Sequence, residues 1–139
     1  MLKQRPNILD SVRVGDCMRA GIFTCDAHTS LREIAATMAS LHIHALALRG
    51  PHGTPLAYIT DLEVVAGIAD SDELQAGDLV GTRATTVSRI QPLREAAQMM
   101  THRGARHLIV IDEANGHAVG VLSSTDILEA YASGRGDDG

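Results

Sequence analysis

The stretch Leu31-Arg32-Glu33 recurs as Leu93-Arg94-Glu95, 62 residues further along the chain. The same displacement lays Gly15-Asp16 on Gly77-Asp78, Thr24 on Thr86, Ala35 on Ala97, Met38 on Met100 and Leu46 on Leu108. With one more residue in the intervening turn, Ala57-Tyr58-Ile59-Thr60 falls on Gly120-Val121-Leu122-Ser123, and Glu63 on Asp126. A three-residue identity flanked in register by single matches marks two copies of one unit, and such internal repetition governs the fold before any local pattern does.

Each copy reads as β-α-β-β-α. A short helical turn (Val14–Met18; Ala76–Val80) leads to an extended stretch (Ile22–Cys25; Thr85–Ser88). In the first copy Ser30 and Glu33 form an S-x-x-E helix start, and Leu31, Ile34, Ala35, Met38 and Leu41 follow at helical spacing. In the second, Pro92 suits the first helical position and Gly104 a left-handed stop after Arg103, with Leu93, Ala96, Ala97 and Met100 repeating the apolar stripe. Two strands come next: Ala45–Leu48 and Leu56–Thr60 around Pro51-His52-Gly53, then His107–Ile111 and Ala118–Leu122 around Asn115-Gly116. A closing helix runs from Thr60 or Ser123 to about Ala69 or Ala132. The organisation is an N-terminal segment (1–13), repeat 1 (14–69), a polar linker (70–75), repeat 2 (76–132) and a tail, Ser133–Gly139, expected to be disordered. One unit of about 60 residues buries too little surface to be robust alone. Two copies packed about an approximate two-fold would form the folding unit, an α/β (α+β) fold with two symmetry-related clefts at the seam.

Composition narrows the function. The 139 residues are 45% hydrophobic and 21% charged, with mean hydropathy +0.03, too apolar for a disordered chain. Phe23, Tyr58 and Tyr131 are the whole aromatic set, so the core is aliphatic and no platform exists for stacking single-stranded bases. A formal charge of −5 argues against a broad phosphate-binding surface, and nucleic acid is not an expected partner. Cys17 and Cys25 are too few for a disulfide framework or a four-thiolate zinc site and read as small buried side chains. The N-terminal ten residues lack an apolar signal region, and runs such as Leu108–Ile111 are only strand-length, so a soluble, cytoplasmic protein without membrane partners is expected.

At this point the sequence resembles a tandem pair of CBS (cystathionine-β-synthase) domains, a Bateman module, from Val14 to Ala132. The resemblance rests on the repeat, the element order, the strand entry Arg106–Asp112 and the strand-to-helix signature G-h-h-[ST]-x-x-D, standing here as Gly120-Val121-Leu122-Ser123-Ser124-Thr125-Asp126. Taken alone, Ser123 with Asp126, or Thr60 with Glu63, is a helix-capping pair. The two roles are compatible, because a carboxylate held inside a helix N-terminus can also accept bonds from vicinal sugar hydroxyls. Such charge-assisted bonds contribute about 1.5–3 kcal/mol each when shielded.

The resemblance implies a stand-alone regulatory or sensor protein that binds an adenosine-containing ligand (AMP, ADP, ATP or S-adenosylmethionine) in an inter-repeat cleft, with the signature aspartate on the ribose. Carried over by position, the better cleft combines Asp126, Thr125, Ser123 and Val121 with Thr24, Ile43 and His44. Val121 and Ile43 would line the adenine, backbone groups near Thr24 and His44 would read its edge, and Arg106 and His107 would face the phosphates. The other cleft would hold Glu63, Thr60, Thr86 and Ala105. It departs from the pattern, since Glu63 replaces the aspartate, Leu62 the hydroxyl residue and Ala57 the glycine. One extra methylene displaces the carboxylate by roughly 1.5 Å, so weaker binding is expected there.

Other constellations mean less. His42 and His44, or His102 and His107, lack companion ligands at metal spacing, and no metal site is expected. No nucleophile elbow, P-loop or dinucleotide fingerprint is present, so no catalytic residue is assigned and a non-enzyme is expected. The family implies a homodimer formed through helices, acting on an unknown regulated protein. The alternative is a dimerisation or docking module with vestigial clefts and no nucleotide ligand.

Overall fold

The computed structural model describes residues 7–79, 82–83 and 85–134, with residues 82–83 described in backbone only. The chain forms helices α1 (Val14–Cys17), α2 (Leu31–Leu41), α3 (Asp61–Asp70), α4 (Leu93–Arg103) and α5 (Ser124–Ala132). Its strands are β1 (Arg19–Ala20), β2 (Thr24–Cys25), β3 (Ala45–Arg49), β4 (Pro55–Thr60), β5 (Thr82–Arg83), β6 (Thr86–Ser88), β7 (His107–Ile111) and β8 (Ala118–Ser123). Single 3-10 turns stand at Ile8–Asp10, Pro51–Gly53 and Ala76–Asp78. Val80 of the expected second lead-in turn, and the tail from residue 135 onward, lie outside the described residues.

Two compact units result, and they interleave along the chain. One comprises residues 22–85; the other joins residues 1–21 to residues 86–139. In the first, the sheet runs β2-β3-β4-β5, with β2 parallel to β3 and the other neighbours antiparallel. Its core holds Cys25, Leu31, Ile34, Met38, Leu46, Ile59, Val64 and Ala76. In the second, the sheet runs β1-β8-β7-β6, with β6 parallel to β7. Its core holds Leu9, Val12, Val14 and Cys17 together with Val87, Leu93, Ala96, Met100, Leu108, Val110, Leu122 and Ala130.

The repeated Gly-Asp pairs explain how each lead-in docks. The Gly15 N–H donates to the Arg89 carbonyl at 2.8 Å, and the Gly77 N–H donates to the Ala27 carbonyl at 2.9 Å. A Cβ at Gly15 would stand 3.0 Å from the Arg89 oxygen, and one at Gly77 3.1 Å from Ala27, so any larger residue would push the turn away. Asp16 and Asp78 then return a carboxylate oxygen to the N–H of Arg13 and of Gln75. Gly120 performs a similar service for β1. A Cβ there would lie 2.5 Å from the Arg19 carbonyl oxygen, and only a bare backbone lets β1 pair with β8.

Helix boundaries follow local chemistry. Ser30 Oγ accepts from the Glu33 N–H at 3.1 Å, although Glu33 does not return a bond, so half of the expected box forms. Leu31, Ile34 and Met38 are buried as their spacing predicts, whereas Leu41, in the last position, is 47% exposed. Pro92 stands at the N-cap of α4 rather than one residue inside it. Both first helices stop in the left-handed conformation at matched positions, Gly104 (φ 64°) and His42 (φ 54°). The second repeat uses the residue that adopts this conformation freely; the first uses one that does not.

Candidate functional site

In the unit that carries residues 86–134, β7 and β8 lie antiparallel with His107 opposite Ser123. The Arg106 carbonyl, at the strand entry, accepts the Ser124 N–H at 2.9 Å and so ties the start of β7 to the start of α5. Ser123 caps α5: its Oγ accepts from the Asp126 N–H at 3.1 Å, while Asp126 Oδ2 accepts from the Ser123 N–H at 2.8 Å. Among the described residues Asp126 is the charged side chain that reaches burial, at 9% exposed. The capping interpretation of S-x-x-D is therefore real. It leaves capacity over, because a carboxylate has about four acceptor positions. The helix N-terminus beside it favours negative charge by about 0.3–1 kcal/mol.

Around this box, Val121 is half-buried in β8 between Arg19 on β1 and Ile109 on β7. Thr125 is exposed on the first turn of α5, and Arg106 and His107 are exposed at the strand entry. The residue is exposed, but the protein beside its ring partly desolvates it and lowers the His107 pKa; the Asp126 charge opposes that effect, and the Arg106 charge adds to it. Thr86 is half-buried in β6, and Ala105 packs partly against the core.

The unit of residues 22–85 repeats the construction. Ala45 stands opposite Thr60, and the His44 carbonyl accepts the Asp61 N–H at 2.8 Å, as Arg106 does for Ser124. Thr60 Oγ1 accepts from the Glu63 N–H at 3.3 Å, and Glu63 Oε1 accepts from both the N–H and the hydroxyl of Thr60. The longer side chain changes the outcome. Glu63 Oε2 is buried with no hydrogen-bond partner, an arrangement with a desolvation cost of about 1–3 kcal/mol. Leu62, standing where Thr125 stands in the other repeat, is 74% exposed.

In the same unit the Thr24 hydroxyl accepts from Arg49 Nη1 at 2.8 Å, Ile43 packs partly against the core, and His44 Nδ1 lies 3.2 Å from Asp61 Oδ2 on an open surface. The structure thus gathers Ser123, Asp126, Thr125, Val121, Arg106, His107, Thr86 and Ala105 in one unit, and Thr60, Glu63, Thr24, Ile43 and His44 in the other. Sequence reasoning counted Ala57 against Gly120 as a difference between binding sites. The structure gives that glycine a packing duty toward β1. The orphaned Glu63 oxygen was also missed, because spacing alone does not reveal which carboxylate oxygen a cap leaves over.

The CBS domain family matches this chain over residues 14–70 and 76–133. The chain belongs to the CBS domain family. An uncharacterized protein of Methanopyrus kandleri is 28% identical over 123 residues, covering 86% of this chain but 62% of the relative's length. Among solved structures, a CBS domain protein from Pyrobaculum aerophilum complexed with AMP superimposes with a TM-score of 0.71 at 23% identity, covering 88% of this chain and 99% of that one. The CBS domain pair of protein MJ0100, in complex with 5-methylthioadenosine and S-adenosyl-L-methionine, gives 0.72 at 20% identity, covering 88% and 97%. Hypoxic Response Protein I, with two coordinated zinc ions, gives 0.70 at 25% identity, covering 85% and 98%. Among this chain's described residues no group of three or more His, Cys, Asp or Glu side chains is placed to hold a metal. Among them, too, no helix is long and apolar enough to cross a membrane.

Proposed function

We propose that this CBS pair is a regulatory module that binds an adenosine-containing ligand, AMP, ADP, ATP or S-adenosylmethionine, with the Asp126 carboxylate accepting the ribose hydroxyls. The observation that carries the reading is Asp126 itself: buried, anchored through Oδ2 to the Ser123 N–H, and set at the positive end of α5. Arg106 supplies a permanent cation at the strand entry for a phosphate. The complexes of related CBS pairs with AMP and with S-adenosylmethionine support the ligand class. Val121 and Thr125 contribute apolar and hydroxyl surface beside the box. The Glu63 box binds more weakly, because its carboxylate is longer and Leu62 offers no hydroxyl.

The test is a thermal-shift and calorimetric titration with AMP, ATP, S-adenosylmethionine and NAD. A ligand at a hundred times its Kd stabilises the fold by about 2.7 kcal/mol. Loss of that shift in Asp126→Ala, with retention in Glu63→Ala, supports the assignment; equal loss in both contradicts it.

Homodimerisation through helices belongs to the same proposal. Val65 and Leu128 occupy matched positions on α3 and α5, as do Ile68 and Tyr131, and all four are 45–67% exposed. A repeated apolar stripe on the closing helix of each repeat suits a second copy of the chain. Sedimentation should give a dimer that Val65→Glu with Leu128→Glu converts to monomer. The docking-module alternative draws on these same stripes and predicts no thermal shift with any nucleotide.

A further inference from the structure

We propose that His107 makes the Asp126 box proton-sensitive: its imidazolium form engages the Asp126 carboxylate, competes with ligand hydroxyls for it, and weakens adenosine binding as the pH falls. The inference rests on the function proposed above and names a regulation of that same site.

Its basis is the placement of three side chains. His107 and Ser123 are directly opposed across β7 and β8. Opposed residues project to one face of a sheet with Cβ atoms about 4.5–5.5 Å apart. Asp126 reaches back to the Ser123 N–H at 2.8 Å, which brings its carboxylate to the same corner. The charges acting on the ring are Asp126, from α5, and Arg106, its neighbour in the chain. The strands beside β7 present Ala118–Ser123 and Thr86–Ser88, which carry no titratable side chain. Partial desolvation of the ring favours its neutral form, so the cationic form appears only on acidification. Acidification adds a cation beside the acceptor that the ribose needs. Linkage then requires the converse, that bound ligand makes His107 harder to protonate. The first repeat supplies an internal contrast, since Ala45 stands opposite Thr60 where the second repeat sets His107 opposite Ser123.

Adenosine is the probe, because its own charge does not change between pH 5 and 8. Calorimetry on the full chain should show binding at least about fivefold weaker at pH 5 than at pH 8. In His107→Gln the affinity should no longer vary with pH. In wild type, the NMR titration of the His107 ring should move to lower pH when adenosine is added. Saturable binding that is flat across this range, or a pH dependence that survives in His107→Gln, overturns this proposal and leaves the functional reading standing. Absence of adenosine binding at every pH overturns this proposal, and the functional reading falls with it only when AMP, ADP, ATP and S-adenosylmethionine also fail to bind.

Discussion

At the residue scale, burial and charge decide what each side chain can do. The Cys25 thiol pKa is pushed up to about 11, chiefly by burial, with Asp26 adding to the rise and Arg49 opposing it. It is therefore a poor nucleophile in the folded protein. Iodoacetamide at pH 8 should label it only as fast as the protein unfolds, and rapid labelling of the native chain would contradict its placement. His107 has its folded pKa lowered below the ordinary value of 6.5, mainly by partial desolvation of its ring. Its contribution to stability is thus complete above the unfolded value and is lost as the pH falls through the folded one. Urea unfolding between pH 7.5 and 5 should show a smaller loss in His107→Gln than in wild type; an equal loss would place the effect elsewhere. Asp126 illustrates what a sequence conveys and what it withholds. Its position was legible from the G-h-h-[ST]-x-x-D spacing, and so was its part in capping α5. The fate of the matching Glu63 was not, because the orphaned Oε2 arises from three-dimensional packing around one extra methylene.

At the element scale, matched positions in the two repeats form a built-in comparison. His42 and Gly104 end α2 and α4 in the same left-handed conformation. A side chain there costs about 1–2 kcal/mol, partly offset by the greater freedom of glycine in the unfolded chain. His42→Gly should therefore stabilise the protein by about 0.5–1 kcal/mol in urea denaturation, and a loss of stability would mean that the ring makes contacts of value. Gly120→Ala should act in the opposite direction, by about 1–3 kcal/mol, since its Cβ would meet the Arg19 carbonyl and Met18 Sδ. Hydrogen exchange should then rise at Arg19 and Ala20 first. The helices and the longer strands were legible because apolar residues recur at 3.6 or 2 residues and turn residues bound them. The two-residue strands β1 and β5 were not, because so short a segment carries no periodicity and pairs only with residues about 100 or 25 positions away.

At the scale of the whole chain, sequence repeats and compact units are different divisions. Repetition is read along the chain, whereas each unit borrows its lead-in from the neighbouring stretch. A fragment starting at residue 72 would lack Leu9, Val12, Val14 and Cys17, all buried in the core it would need. At about 1.5–3 kcal/mol for each large apolar side chain, that loss rivals the entire stability of a small domain. The fragment should lack dispersed NMR signals alone and recover them when residues 1–21 are supplied as a peptide. A fully folded fragment would show that the borrowed segment is dispensable.

Whether the Asp126 carboxylate grips the sugar of an adenosine ligand is decided by titration calorimetry with AMP on wild type and on Asp126→Asn. The amide keeps the side chain's shape and its cap while removing the charge. Wild type should bind AMP saturably, and the variant at least about tenfold more weakly, the loss of a charge-assisted bond. Equal affinity in the two proteins, with the fold intact, would contradict that role of Asp126.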